Sequence, residues 1–161
     1  MLVMGIDPGL RNTGIGVIEI DNKDDKKNIK ISFMELIETE SNISDYKRLY
    51  KIYSNIVRII EVISPDVSAM ENIYLDRAHP SSGLSVAYAK GAISIALAQK
   101  EINLYEYEPM EVKLAITGNG RASKEQVRKM IINRLGIDIK TPQHICDALA
   151  VALCYVQREG L

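Results

Sequence analysis

The sequence predicts an α/β fold: a five-stranded mixed sheet, its first three strands antiparallel, with helices on both faces. Three observations carry that prediction. Three strand-like apolar runs follow one another within the first 37 residues, joined by turn-forming or charged segments. From residue 44 onward, strand-like and helix-like segments alternate. Across all 161 residues no linker, repeat or low-complexity tract interrupts the pattern, so residues 1–161 read as one domain.

Each element has its own justification. Residues 2–6, "LVMGI", are an uninterrupted apolar run suited to a central strand covered on both faces. In "DPGLRN", Pro8 fixes φ while Gly9 and Asn12 tolerate a turn. "TGIGVIEI", residues 13–20, alternates apolar and polar in its second half and reads as a strand with one solvated face. "DNKDDKKN", residues 21–28, reads as a charged loop tip, and "IKISFMELI", residues 29–37, as the third strand of a meander. Ser44 then stands as an N-cap before apolar Leu49, Ile52, Tyr53, Ile56, Ile59, Ile60 and Ile63, and Pro65 ends that helix. "DVSAME", residues 66–71, is a short buried strand terminating in Glu71. Residues 82–100, rich in Ala, Leu and Ile, form a helix, and "INLYEYE", residues 102–108, a fifth strand. A short helix over 110–116, the loop "TGNGRAS", a helix from the Ser123 cap to about Leu135 and Gly136, and a final amphipathic helix from Gln143 to Arg158 complete the chain.

Composition is ordinary for a globular protein, and the net charge is -1. The charge is unevenly spread. Residues 109–140 carry seven Lys and Arg against three Asp and Glu, whereas residues 1–108 carry twelve against sixteen. One basic face on a neutral protein fits a phosphate partner, and equally a solvated helix face. Cys146 and Cys154, eight apart in an apolar run, read as buried thiols too far apart to bond. The opening "MLVMGID" lacks a signal peptide's basic and long apolar regions, and no stretch reaches membrane-span length, so a cytoplasmic protein is expected.

Three acids fall where a strand or helix is otherwise apolar: Asp7, Glu71, and Asp147 in "HICDALAVAL", with His144 one turn earlier on the same helix face. Each has a plainer reading: a turn-initiating Asp, a solvated strand end, a helix-dipole partner and a structural histidine. Were the first and fourth strands neighbours, Asp7 and Glu71 would share a sheet edge, and the last helix would add the other two. Such a pocket holds its charge only with a cation; oxygen donors with one imidazole suit Mg²⁺ or Mn²⁺, and an ion pair suits phosphodiester hydrolysis.

"GIDPGLRNTGIGV", "MENIY", "GNGRASKEQV" and "HICDALAVAL", in that order over nearly the whole chain, resemble the RuvC family of bacterial Holliday-junction resolvases. The resemblance implies a ribonuclease H-like fold, a homodimer, four-way junction DNA as substrate, and the branch-migration proteins RuvA and RuvB as partners. It implies Mg²⁺, two ions per active site with Mn²⁺ as a substitute, held by Asp7, Glu71, His144 and Asp147. Asp7 would bridge the ions, Glu71 and Asp147 would hold one each, and His144 would complete one shell. Some members carry Asp where this chain has His144. Water would attack in line and leave a 5′-phosphate and a 3′-hydroxyl.

For DNA, the basic segment offers Lys113, Arg121, Lys124 and Arg128; Lys113 and Lys124 match the family's contacts near the scissile phosphate. Tyr74 matches an aromatic that stacks on an unpaired base, more often Phe, and Arg77 would brace the opened junction. The helix over 82–100, apolar on more than one side, corresponds to the family's dimer interface. Three rivals are weaker. Actin-like or sugar-kinase ATPases need two lobes and an adenosine site. A metal-free junction-binding scaffold does not need the intact acidic quartet. Ribonuclease H and YqgF-like nucleases match "GNGRASKEQV" and "HICDALAVAL" less well.

Overall fold

The computed structural model describes residues 1–23, 26–72 and 80–161. Tyr74 and Arg77 lie outside the described residues. Five strands, β1 (Leu2–Asp7), β2 (Asn12–Lys23), β3 (Lys26–Glu38), β4 (Val67–Glu71) and β5 (Leu104–Tyr107), form one sheet in the order β3-β2-β1-β4-β5. The β1–β2 and β2–β3 pairs are antiparallel, and β1–β4 and β4–β5 are parallel. The five helices are α1 (Asp45–Ile63), α2 (Pro80–Gln99), α3 (Pro109–Thr117), α4 (Lys124–Leu135) and α5 (Gln143–Arg158).

The two-residue period of the strands divides the core in two. Met4 and Ile6 of β1, Ile15 and Val17 of β2, and Met70 of β4 pack with Ile52, Ile56, Ile59 and Ile60 of α1 and Ile93 and Leu97 of α2. Val3, Ile18, Val67 and Ala69 point the other way, into a cluster with α3, α4 and nearly the whole length of α5. Helices therefore cover both faces, as expected. On the α5 face the same alternation continues from Val3 through Gly5 to Asp7, and from Val67 through Ala69 to Glu71. Both acids thus emerge on one side of the sheet.

The expected elements are present, with one extension and one correction. Strand β2, expected to keep one face solvated, is buried on both from Thr13 to Ile18, because helices cover each side of the sheet. Residues 21–23 and 26–28, expected in a loop, continue the β2–β3 hairpin, with Asp21 opposite Asn28 and Lys23 opposite Lys26. A hairpin arm satisfies its backbone by pairing alone, so a charged run does not by itself end a strand. Ser123 caps α4 as expected, accepting from Gln126 N at 3.2 Å in a reciprocal capping box. Ser44 occupies the cap position of α1 without a side-chain cap bond. Gly136 takes the left-handed C-cap of α4 at φ 64°. Cys146 and Cys154 are buried free thiols. Among the described residues no helix is long and apolar enough to cross a membrane.

Candidate active site

The site begins with the parallel pairing of β1 and β4. Ile6 lies opposite Met70, so the next residues, Asp7 and Glu71, end neighbouring strands on the same face. Helix α5 then crosses that face with unusual closeness. A Cβ on Gly5 would overlap the Ala148 carbonyl, and one on Gly14 would overlap the His144 carbonyl. Glycine at these two positions lets the α5 backbone reach the sheet and sets its first turns beside Asp7.

The result is a small cavity of about 120 Å³ lined by Asp7, Glu71, Asp147, Lys113 and Lys124, with Pro109, Val112, Val127 and Ala150 as apolar wall. The three carboxylates expected from the sequence converge here. His144 does not line the cavity: its Nδ1 donates to Asp7 Oδ2 at 2.6 Å, at the edge of the pocket. Gln143, which the sequence reading missed, donates through Nε2 to Asp147 Oδ1 at 2.7 Å. It stands four residues before the acid, a helical spacing that a search for partners of Asp147 would have found.

The protonation states report the crowding. Burial, then the charges of Asp7 and Asp147, push the Glu71 carboxyl up to about 7; Lys124 and Lys113 pull against that shift. Burial and Asp7 also raise Asp147, opposed by the Gln143 hydrogen bond and by Lys124 and His144. The hydrogen bond to Asp7 raises His144, against its own burial. Burial first, and the neighbouring carboxylates second, make ionising these two acids unfavourable despite the lysines.

That donor set fits a hard divalent cation. Asp7, Glu71 and Asp147 line one cavity, yet among the described residues no three acid, imidazole or thiol groups are placed to hold an ion together, so one or two carboxylates and water would make up its shell. An open, carboxylate-only approach is the arrangement in which Mg²⁺ keeps part of its water shell.

The remaining basic residues divide. Lys113 on α3 and Lys124 at the start of α4 face the acids across the cavity. Arg121 is exposed on the loop between those helices, its backbone N–H held by Asn119 Oδ1 at 3.0 Å. Arg128 points inward instead. Its Nη2 donates to Ile139 O at 2.6 Å, and Nη1 lies 3.4 Å from both Gln143 Oε1 and Cys146 Sγ. Through Gln143 it braces Asp147 from behind.

Acids at the ends of adjacent parallel strands, closed over by a C-terminal helix and faced by lysines, define a nuclease of the ribonuclease H-like class. The family model described as crossover junction endodeoxyribonuclease RuvC matches residues 3–155. The crossover junction endodeoxyribonuclease RuvC of Caldicellulosiruptor saccharolyticus is 38% identical over 97% of this chain and 92% of its own. That of Thermotoga maritima is 37% identical over 95% of this chain and 89% of its own. The structure of Thermus thermophilus RuvC in complex with a Holliday junction superposes with a TM-score of 0.87 at 30% identity, covering 99% of this chain and 96% of that one. This chain belongs to the RuvC family of crossover junction endodeoxyribonucleases.

Proposed function

We propose that this protein resolves Holliday junctions by paired, symmetric nicks, with Asp7, Glu71 and Asp147 as the metal-holding acids. The observation that carries the reading is the gathering of those three carboxylates, 140 positions apart from first to last, into one cavity with Lys113 and Lys124. Bound there, divalent ions, Mg²⁺ in the first instance, supply the Lewis acidity that phosphodiester hydrolysis needs. The protein does the rest. His144 fixes the rotamer of Asp7, and Gln143 that of Asp147. Lys113 and Lys124 draw the scissile phosphate against the acids, and Arg121 follows the backbone outward. Tyr74 and Arg77 keep the junction roles implied by the family resemblance, as do RuvA and RuvB as partners.

Paired cuts require two sites related by a two-fold axis. Helix α2 offers the surface for it: Leu84, Tyr88 and Ile95 are 48%, 49% and 64% exposed, at spacings that place them along one side of the helix. Gly91, between Tyr88 and Ile95, keeps that stripe low, since a Cβ there would meet no atom within 4 Å.

The test is a cleavage panel of four-way junction, RNA–DNA hybrid and plain duplex, each with Mg²⁺ and with EDTA. Paired nicks in the junction alone, and only with metal, are expected. Preferential cutting of the hybrid would move the assignment to ribonuclease H.

A further inference from the structure

Between α2 and the pocket runs a chain of polar contacts that neither metal binding nor phosphate binding uses. Asn72 follows Glu71 directly, and its backbone N–H donates to Tyr107 O at 2.7 Å. Its side-chain amide faces two charged groups. Lys90 of α2 donates to Asn72 Oδ1 at 3.1 Å, and Asn72 Nδ2 donates to Glu108 Oε1 at 3.0 Å. Lys90 also pairs with Glu106 and is only 17% exposed. Glu108 is the N-cap residue of α3; its backbone N–H donates to Glu111 Oε2 at 3.0 Å while its own carboxylate makes no cap bond, and α3 carries Lys113 into the cavity. Among the described residues, Glu108 Oε2 is buried without a hydrogen-bond partner, so the carboxylate depends on what Oε1 receives.

We propose that Asn72 is a positioning residue, which locks the α3 cap and Lys113 in register with Glu71 and takes its orientation from Lys90 on α2. A carboxamide suits the place because its two ends differ: oxygen can only accept from the ammonium, and nitrogen can only donate to the carboxylate. An acid there would set a second negative charge against Glu108, and an apolar residue would remove the donor to Glu108 Oε1. The relay also joins the helix assigned to the dimer interface to a residue facing the scissile phosphate. Its effect on cutting therefore rests on the nuclease reading.

The experiment compares Asn72→Asp, Asn72→Asp with Glu108→Gln, and Lys90→Met against the unaltered protein. Three quantities are measured: single-turnover junction cutting at saturating protein with Mg²⁺, junction affinity in EDTA, and amide hydrogen exchange over residues 110–113. Asn72→Asp should cut roughly ten-fold more slowly at saturation, the scale of a small misplacement near a reacting centre. Its affinity should be unchanged and its exchange in the first turn of α3 faster. Adding Glu108→Gln restores a donor opposite the new acid and should recover both exchange and rate. Lys90→Met, which leaves the cap itself intact, should shift both in the same direction by less. Unchanged exchange, an unchanged saturating rate, or no recovery in the double variant overturns the relay. An unaltered protein that cuts no junction sinks the nuclease reading alone, because exchange and its recovery still decide the relay.

Discussion

Asp7 stands at the meeting of three constraints: the end of the central strand, the Glu71 neighbour on β4, and the His144 imidazole 2.6 Å away. Removing its charge while keeping its shape isolates its chemical role. Asp7→Asn should abolish cutting, by at least three orders of magnitude for a group acting on the reacting centre, while junction binding in EDTA persists. Glu71 gives a pH prediction whose sign is fixed. Its carboxyl rises from 4.5 to about 7 on folding, so holding it ionised costs stability. The protonated carboxyl's contribution to stability is intact below pH 4.5 and is lost as pH rises through about 7. In EDTA, Glu71→Gln should melt higher than the unaltered protein above pH 7 and at the same temperature below pH 4.5. Mg²⁺ should raise the melting temperature at pH 8 more than at pH 5. Parallel melting curves across pH would remove the crowding argument. Lys124→Ala should lower the slope of log affinity against log salt by about one, the signature of one lost phosphate contact. Arg128→Ala should leave that slope alone and destabilise the protein, since its donors already serve Ile139 and Gln143.

Elements bring these residues together, and α5 does most of it. Gly14→Ala would drive a methyl group into the His144 carbonyl and lift the start of α5 from the sheet. It should cost about 2 kcal/mol by overpacking and displace His144 and Asp147, read as denaturant unfolding and as a loss of cutting out of proportion to the stability change. This element also shows what the sequence made legible. The span Gln143–Arg158, the acids at strand ends and the Ser123 cap all followed from local rules: period, punctuation and cap chemistry. The close approach at Gly5 and Gly14 did not, because it depends on which helix lies on which strands. Gly14 and Gly16, two apart in "TGIGV", were the one available hint, as residues of equal parity share a face. Arg128 could not be separated from Lys124 by sequence either. Both lie on basic α4, and only the packing of the 137–142 connector turns one inward. The Asn72 relay joins groups from 18 to 36 positions apart in the chain, beyond any local pattern.

At the scale of the whole molecule, the basic segment and the acids belong to one feature. Helix α4 and Arg121 just before it carry the excess positive charge, α3 adds Lys113, and Asp7, Glu71 and Asp147 at the sheet ends and on α5 carry the facing negative charge. On the proposed reading, a polyanion would meet Lys113 and Lys124 at the same place where the acids would hold their ions. The exposed stripe of α2 lies on a different element from these. Tyr88→Glu with Ile95→Glu should give a monomer by light scattering that still binds divalent ions but makes single nicks in place of paired ones. Unpaired nicks from an intact dimer would contradict the two-fold account. The family comparison reaches both parts, since the match spans residues 3–155.

Mn²⁺ titration by calorimetry, without DNA, bears most directly on the shared acidic pocket, in the unaltered protein and in Asp7→Asn, Glu71→Gln and Asp147→Asn. Saturable binding that each single substitution weakens or abolishes is expected, with uptake that falls steeply below pH 7. Binding left at full affinity and stoichiometry by any of the three substitutions would contradict a shared acidic pocket.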